Sequence, residues 1–95
     1  MTADRNMSVP DLLGTKAVML QFLKVELDIA TTFVESAKAA SSLEVRKRKC
    51  NEARKAYDTV ARMINRVTLS SAEAALLHYR LTVLKTTLQQ LGNLS

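Results

Sequence analysis

Ninety-five residues, 47% apolar and 24% charged with a formal net charge of +5, make one globular domain: too apolar for a disordered chain, too short for two cores. Two glycines and one proline exclude any fold built on many tight turns. One cysteine excludes an internal disulfide, and the longest apolar run, Ala17 to Leu20, falls far below the ~20 residues needed to cross a bilayer.

Residues 1–7 are polar and aperiodic, which reads as a disordered tail ahead of a single domain over residues 8–95. No ordered sequence of charged, apolar and small-residue regions marks a signal peptide. With Cys50 the lone cysteine, the expected setting is a reducing cytoplasm.

Ser8-Val9-Pro10-Asp11 has the form of a helix start, with Ser8 as N-cap and proline in the first turn. The first helix is expected over about residues 11–40. Leu13, Leu20, Leu27 and Val34 form one seven-residue register, and Leu23, Ala30 and Ala37 the other. Gln21, Lys24, Asp28, Thr31, Glu35 and Lys38 form a polar stripe on the far side, while Met19, Phe22, Ile29 and Phe33 broaden the apolar face. Val18, Phe22, Val25 and Ile29 also recur at steps of four, three and four. They make a second apolar stripe that two neighbouring helices do not readily cover. These four are the candidate self-association residues, unless the other two helices wrap the first one completely.

Ala39-Ala40-Ser41-Ser42 is the first expected turn, since Ser41 and Glu44 have capping-box spacing. A single helix running through it would be several times the usual length. The second helix, about residues 42–67, carries Leu43, Cys50, Tyr57 and Ile64 in one register and Ala53, Val60 and Val67 in the other. Tyr57 is expected to be mostly buried between the other helices, with its hydroxyl near a polar partner.

The same stretch holds the charge excess: residues 42–67 contain eight basic and three acidic groups, whereas residues 1–41 contain four and five. Arg46, Lys47, Arg48, Lys49, Arg54 and Lys55 are the candidate anion- or nucleic-acid-binding residues. Cations near a helix N-terminus oppose the helix dipole, so an anionic partner would relieve them. The opposite reading is a solvated helix face. Glu44–Arg48 and Asp58–Arg62 are four apart and Glu52–Lys55 three apart, so they can pair. No aromatic residue interleaves the run to stack on bases.

Thr68-Leu69-Ser70-Ser71-Ala72-Glu73 opens the third helix, with Ser70 as N-cap and Glu73 as its capping-box partner. Ala74, Leu81 and Leu88 alternate with Leu77, Leu84 and Leu91, Leu76 and Val83 widen the face, and Gly92 is the expected left-handed C-cap. Helices over about 11–40, 42–67 and 70–91 with short links specify an all-α, antiparallel three-helix bundle.

Chemistry-bearing motifs are absent. One histidine, His78, and one cysteine cannot assemble the usual zinc sets within one chain. Cys50 falls in the apolar seam and reads as core. Glu26 and Asp28 lie two apart, so on a helix they diverge and form no carboxylate pair. No glycine-rich phosphate loop occurs. No catalytic residue, metal, cofactor or small-molecule substrate is expected, and the chain does not read as an enzyme.

Glu52-Ala53-Arg54-Lys55-Ala56-Tyr57-Asp58-Thr59-Val60 and the later Leu88-Gln89-Gln90-Leu91-Gly92 resemble a group of short bacterial all-α proteins with an ARKAYDTV-like second helix and a Leu-rich third. The resemblance covers roughly Leu27 to Gly92. It implies a small all-α bacterial protein and brings no activity or site residue with it. The alanine and tyrosine spacing also looks distantly like helical-hairpin modules of the TPR or MIT type, without the ~34-residue TPR repeat. The expected function is a helical protein–protein interaction module that pairs with itself as a homodimer or with another helical protein, away from any membrane. The alternative is a nucleic-acid-associated protein using the basic face of the second helix.

Overall fold

Side-chain size decides where the helices of this chain meet. The computed structural model describes residues 3–92, with side chains from Lys16 to Gly92. It contains α1 (Ala3–Ala39), α2 (Leu43–Met63), a 3-10 turn (Ile64–Arg66) and α3 (Ser71–Gln90), and no strand among the described residues. Lys49 of α2 lies over the Phe33 ring of α1, 5.5 Å from its centroid. Arg80 of α3 reaches Asp28 of α1 at 2.8 Å. With Lys16 of α1 meeting Glu73 of α3, the order Lys16 to Asp28 matches Glu73 to Arg80, so α3 runs parallel to α1. The short link after Ala39 and the Lys49–Phe33 contact return α2 antiparallel, which makes an antiparallel three-helix bundle.

The helix ends refine the expected boundaries. α1 begins at Ala3, ahead of the Ser8 cap, and Pro10 lies inside it. The fixed φ of proline suits a helix, and only its missing N–H and ring crowding oppose it. The tail expected over residues 1–7 falls on Met1 and Thr2, outside the described residues, and on the opening of α1. The first turn needs neither glycine nor proline. The Ala40 N–H donates to the Ala37 carbonyl at 3.2 Å, and Ser42 turns extended at φ −125°, ψ 152°. Ser42 Oγ, not Ser41, then caps α2 by accepting from the Val45 N–H at 3.2 Å. α2 stops at Met63 rather than continuing to Val67, because the chain winds into the 3-10 turn and Val67 becomes extended. The β-branched pair Val67-Thr68 favours that conformation.

α3 starts on the expected capping box. Ser70 Oγ accepts from the Glu73 N–H at 3.1 Å, and Glu73 Oε1 accepts from the Ser70 N–H at 2.8 Å. That second bond holds the Glu73 carboxyl below its usual range. At the other end Gly92 adopts φ +83°, a left-handed conformation that glycine takes without a Cβ clash.

The buried residues are Leu23, Leu27, Ala30, Val34 and Ala37 on α1, Cys50, Ala53, Ala56, Val60 and Ile64 on α2, and Leu77, Leu81, Leu84 and Leu88 on α3. Their sizes grade along the bundle. Where α1 ends and α2 begins, alanine, valine and cysteine face one another. At the opposite end leucine meets valine and isoleucine. α3 contributes only leucines. Small facing side chains let two backbones approach, and α1 and α2 accordingly make most of the close backbone approaches while α3 lies further out.

Two seam residues depart from expectation. Leu43, the first residue of α2, is 67% exposed at the end of the bundle. Tyr57 is only half-buried at the edge of the core. Ala53 and Ala56, both buried, take the central positions at its level, and the ring is too large for the narrow gap they leave.

Ala53 is fully buried in that narrow seam, so Ala53→Leu should overpack it and cost about 1–3 kcal/mol, read as a lowered urea midpoint. An unchanged midpoint would show that α1 and α2 are not closely apposed there.

Candidate interaction surfaces

Successive residues of an α-helix advance by about 100°, so four consecutive cations cannot share one face. Residues 46–49 show this directly. Lys49 turns toward α1, where its ammonium sits over Phe33. Arg46 is partly buried and lines a cleft at the end of the bundle with Leu43, Lys47, Cys50, Leu91 and Gly92. Lys47 and Arg48 point outward and carry no ion pair among the described residues.

Further along α2 the cations have local partners. Lys55 Nζ pairs with Glu52 at 3.0 Å, as its spacing predicts. Arg54 takes Asp58 at 3.9 Å, the carboxylate expected to serve Arg62. Glu44 does not pair with Arg48. Of the six candidate anion-binding residues, only Lys47 and Arg48 remain both outward and unpaired. Exposed pairs of this kind add little stability but do neutralise local field.

The apolar stripe of α1 is more coherent. Val18, Phe22, Val25 and Ile29 are 66%, 39%, 40% and 39% exposed, so α2 and α3 do not wrap this helix. Val25 and Ile29, with Asp28, Thr32 and Phe33, line a shallow open groove. Thr32 Oγ1 donates to the Asp28 carbonyl at 3.0 Å, so its methyl group is what the groove presents.

α3 carries a second exposed stripe that periodicity alone did not single out. Leu76, Tyr79 and Val83 are 53%, 67% and 45% exposed and recur at steps of three and four. The same spacing rule that marks the α1 stripe marks this one. Leu76 and Val83, however, read in sequence as widening the core face, and their exposure decides against it. Arg80 Nη2 donates to Asp28 Oδ1 at 2.8 Å.

The described residues hold no group of three or more His, Cys, Asp or Glu side chains able to bind a metal, and no helix long and apolar enough to cross a membrane. His78 is exposed. Cys50 is 1% exposed, and burial pushes its thiol up despite the opposing charge of Arg46. No family model matches the chain, and no curated protein or solved structure is significantly similar to it.

The buried, protonated thiol gives a direct check on the α2 phase. A thiol reagent at neutral pH should leave Cys50 unmodified in the folded protein and label it fully in denaturant. Fast labelling under native conditions would place Cys50 outside the core.

Proposed function

We propose that this chain is a helical protein–protein interaction module that pairs with a second copy of itself through the exposed apolar stripe of α1. The observation that carries the reading is the exposure of Val18, Phe22, Val25 and Ile29 together on a helix whose opposite face is already spent on the core. Single exposed apolar residues are ordinary on a protein surface, but a contiguous set at helical spacing marks a contact. Their residual exposures leave roughly 300 Å² per protomer. Burying both copies would contribute on the order of 15 kcal/mol before association costs that themselves reach about 4–15 kcal/mol.

Size exclusion coupled to light scattering, at micromolar concentration, tests this. Wild type should elute as a dimer and Val25→Glu as a monomer with unchanged helical circular dichroism. A monomeric wild type would end the reading, and a dimer indifferent to Val25→Glu would move the contact off α1.

The exposure of Lys47 and Arg48 without ion pairs favours a second reading, an anionic polymer held against α2. Two such cations, with Arg54 and Lys55 locally neutralised, make a small phosphate footprint. On the leading reading the protein should show no binding to duplex DNA or RNA at physiological salt. Binding that weakens steeply with salt and is abolished by Lys47→Gln with Arg48→Gln would establish the second reading instead.

A further inference from the structure

The cleft at the end of the bundle is built by the start of α2 and the end of α3, which are far apart in the chain, so no motif marks it. Leu43, Arg46, Lys47 and Cys50 supply one wall and Leu91 and Gly92 the other, around a volume of about 250 Å³. At ~30 Å³ per water molecule, that space takes about eight waters or one small molecule of similar bulk.

Its chemistry is divided. Leu91 is half-buried, Leu43 is 67% exposed, and Cys50 is buried with its thiol kept neutral. The charged side chains of the lining are Arg46 and Lys47, and no carboxylate joins them. Neither cation has an ion-pair partner among the described residues. Arg46 is also partly buried, so its guanidinium gives up part of its hydration without gaining an anion in return.

The two side chains set the sign of the cleft. The N-terminus of α2 favours an anion and the C-terminus of α3 a cation, and these helix ends lie together and offset each other. Glu44, in the first turn of α2, is exposed and does not line the cleft. The backbone donors at the α3 end are already used, Leu91 N–H on the Thr87 carbonyl at 3.0 Å and Gly92 N–H on the Gln89 carbonyl at 2.9 Å. Recognition of an anion therefore falls on Arg46 and Lys47.

We propose that this cleft binds a medium-chain carboxylate, its head paired with Arg46 and Lys47 and its hydrocarbon chain laid against Leu43 and Leu91. A guanidinium fork matches the two oxygens of a carboxylate, and the ammonium adds a point charge beside it. The volume is too small for a nucleic acid, which sets this site apart from a polymer held on Lys47 and Arg48. It also lies away from the apolar stripe of α1 and does not depend on self-pairing.

Amide-resolved NMR of isotope-labelled protein titrated with octanoate tests the site, with acetate and octan-1-ol as probes that keep only the head or only the chain. Octanoate should shift the amides of the cleft residues and saturate, while acetate and octan-1-ol bind far more weakly. Arg46→Gln and Lys47→Gln should each weaken octanoate about tenfold, the loss expected for one charge-assisted hydrogen bond. Arg48→Gln, on the neighbouring outward cation, should leave it unchanged. Circular dichroism confirms that each variant is folded, and Lys47 is exposed, so its substitution spares the fold. Four results would each overturn the site: no saturable shift, shifts confined to the α1 stripe, octan-1-ol binding as tightly as octanoate, or an affinity indifferent to both cleft variants. An equal loss in Arg48→Gln would overturn it as well, by showing a diffuse effect of charge.

Discussion

Ala30, Ala37, Ala53 and Ala56 are the side chains on which the arrangement of the three helices turns, because their small size sets how closely α1 and α2 can approach. Two helices joined by a short turn and faced with alanine, valine and cysteine close into a tight hairpin. A third helix cannot enter that seam and lies in the groove beside it, where only long side chains reach the core. The four buried leucines of α3 answer that geometry. A tight hairpin with an outlying third helix leaves much of α1 uncovered, and one stripe of the uncovered part is apolar. The unfilled surface is therefore a consequence of the same packing that makes the bundle.

Charge is arranged around this surface rather than on it. The excess cations sit on α2, and helical rotation spreads them around its circumference instead of concentrating them. Lys49 is drawn onto an aromatic face, Arg54 and Lys55 onto nearby carboxylates, and Arg46 into the end of the bundle. Two ion pairs cross between α1 and α3, Asp28–Arg80 at 2.8 Å and Lys16–Glu73 at 3.9 Å. Such pairs orient the two helices without contributing much stability of their own.

Much of this was legible before any coordinates. Heptad spacing finds every buried position except Ala56, and the Ser70–Glu73 box and the left-handed Gly92 are local rules that tertiary contacts do not disturb. The misreadings have physical causes. Periodicity reports phase and not size, so it ranked Tyr57 and Leu43 with the core although alanines fill the centre and α2 begins at the edge. A run such as Arg46–Lys49 looks like a patch in one dimension and is a ring in three. Leu76, Tyr79 and Val83 obey the same spacing as the α1 stripe. Their exposure in the bundle shows which side of α3 faces outward.

The central claim is that a second copy covers the exposed stripe of α1, and isotope-filtered NMR on an equal mixture of labelled and unlabelled protein tests it most directly. Intermolecular contacts should appear among the methyls of Val18, Val25 and Ile29 and the ring of Phe22, and be absent from α2. Intermolecular contacts confined to α2, or none at concentrations well above micromolar, would contradict it.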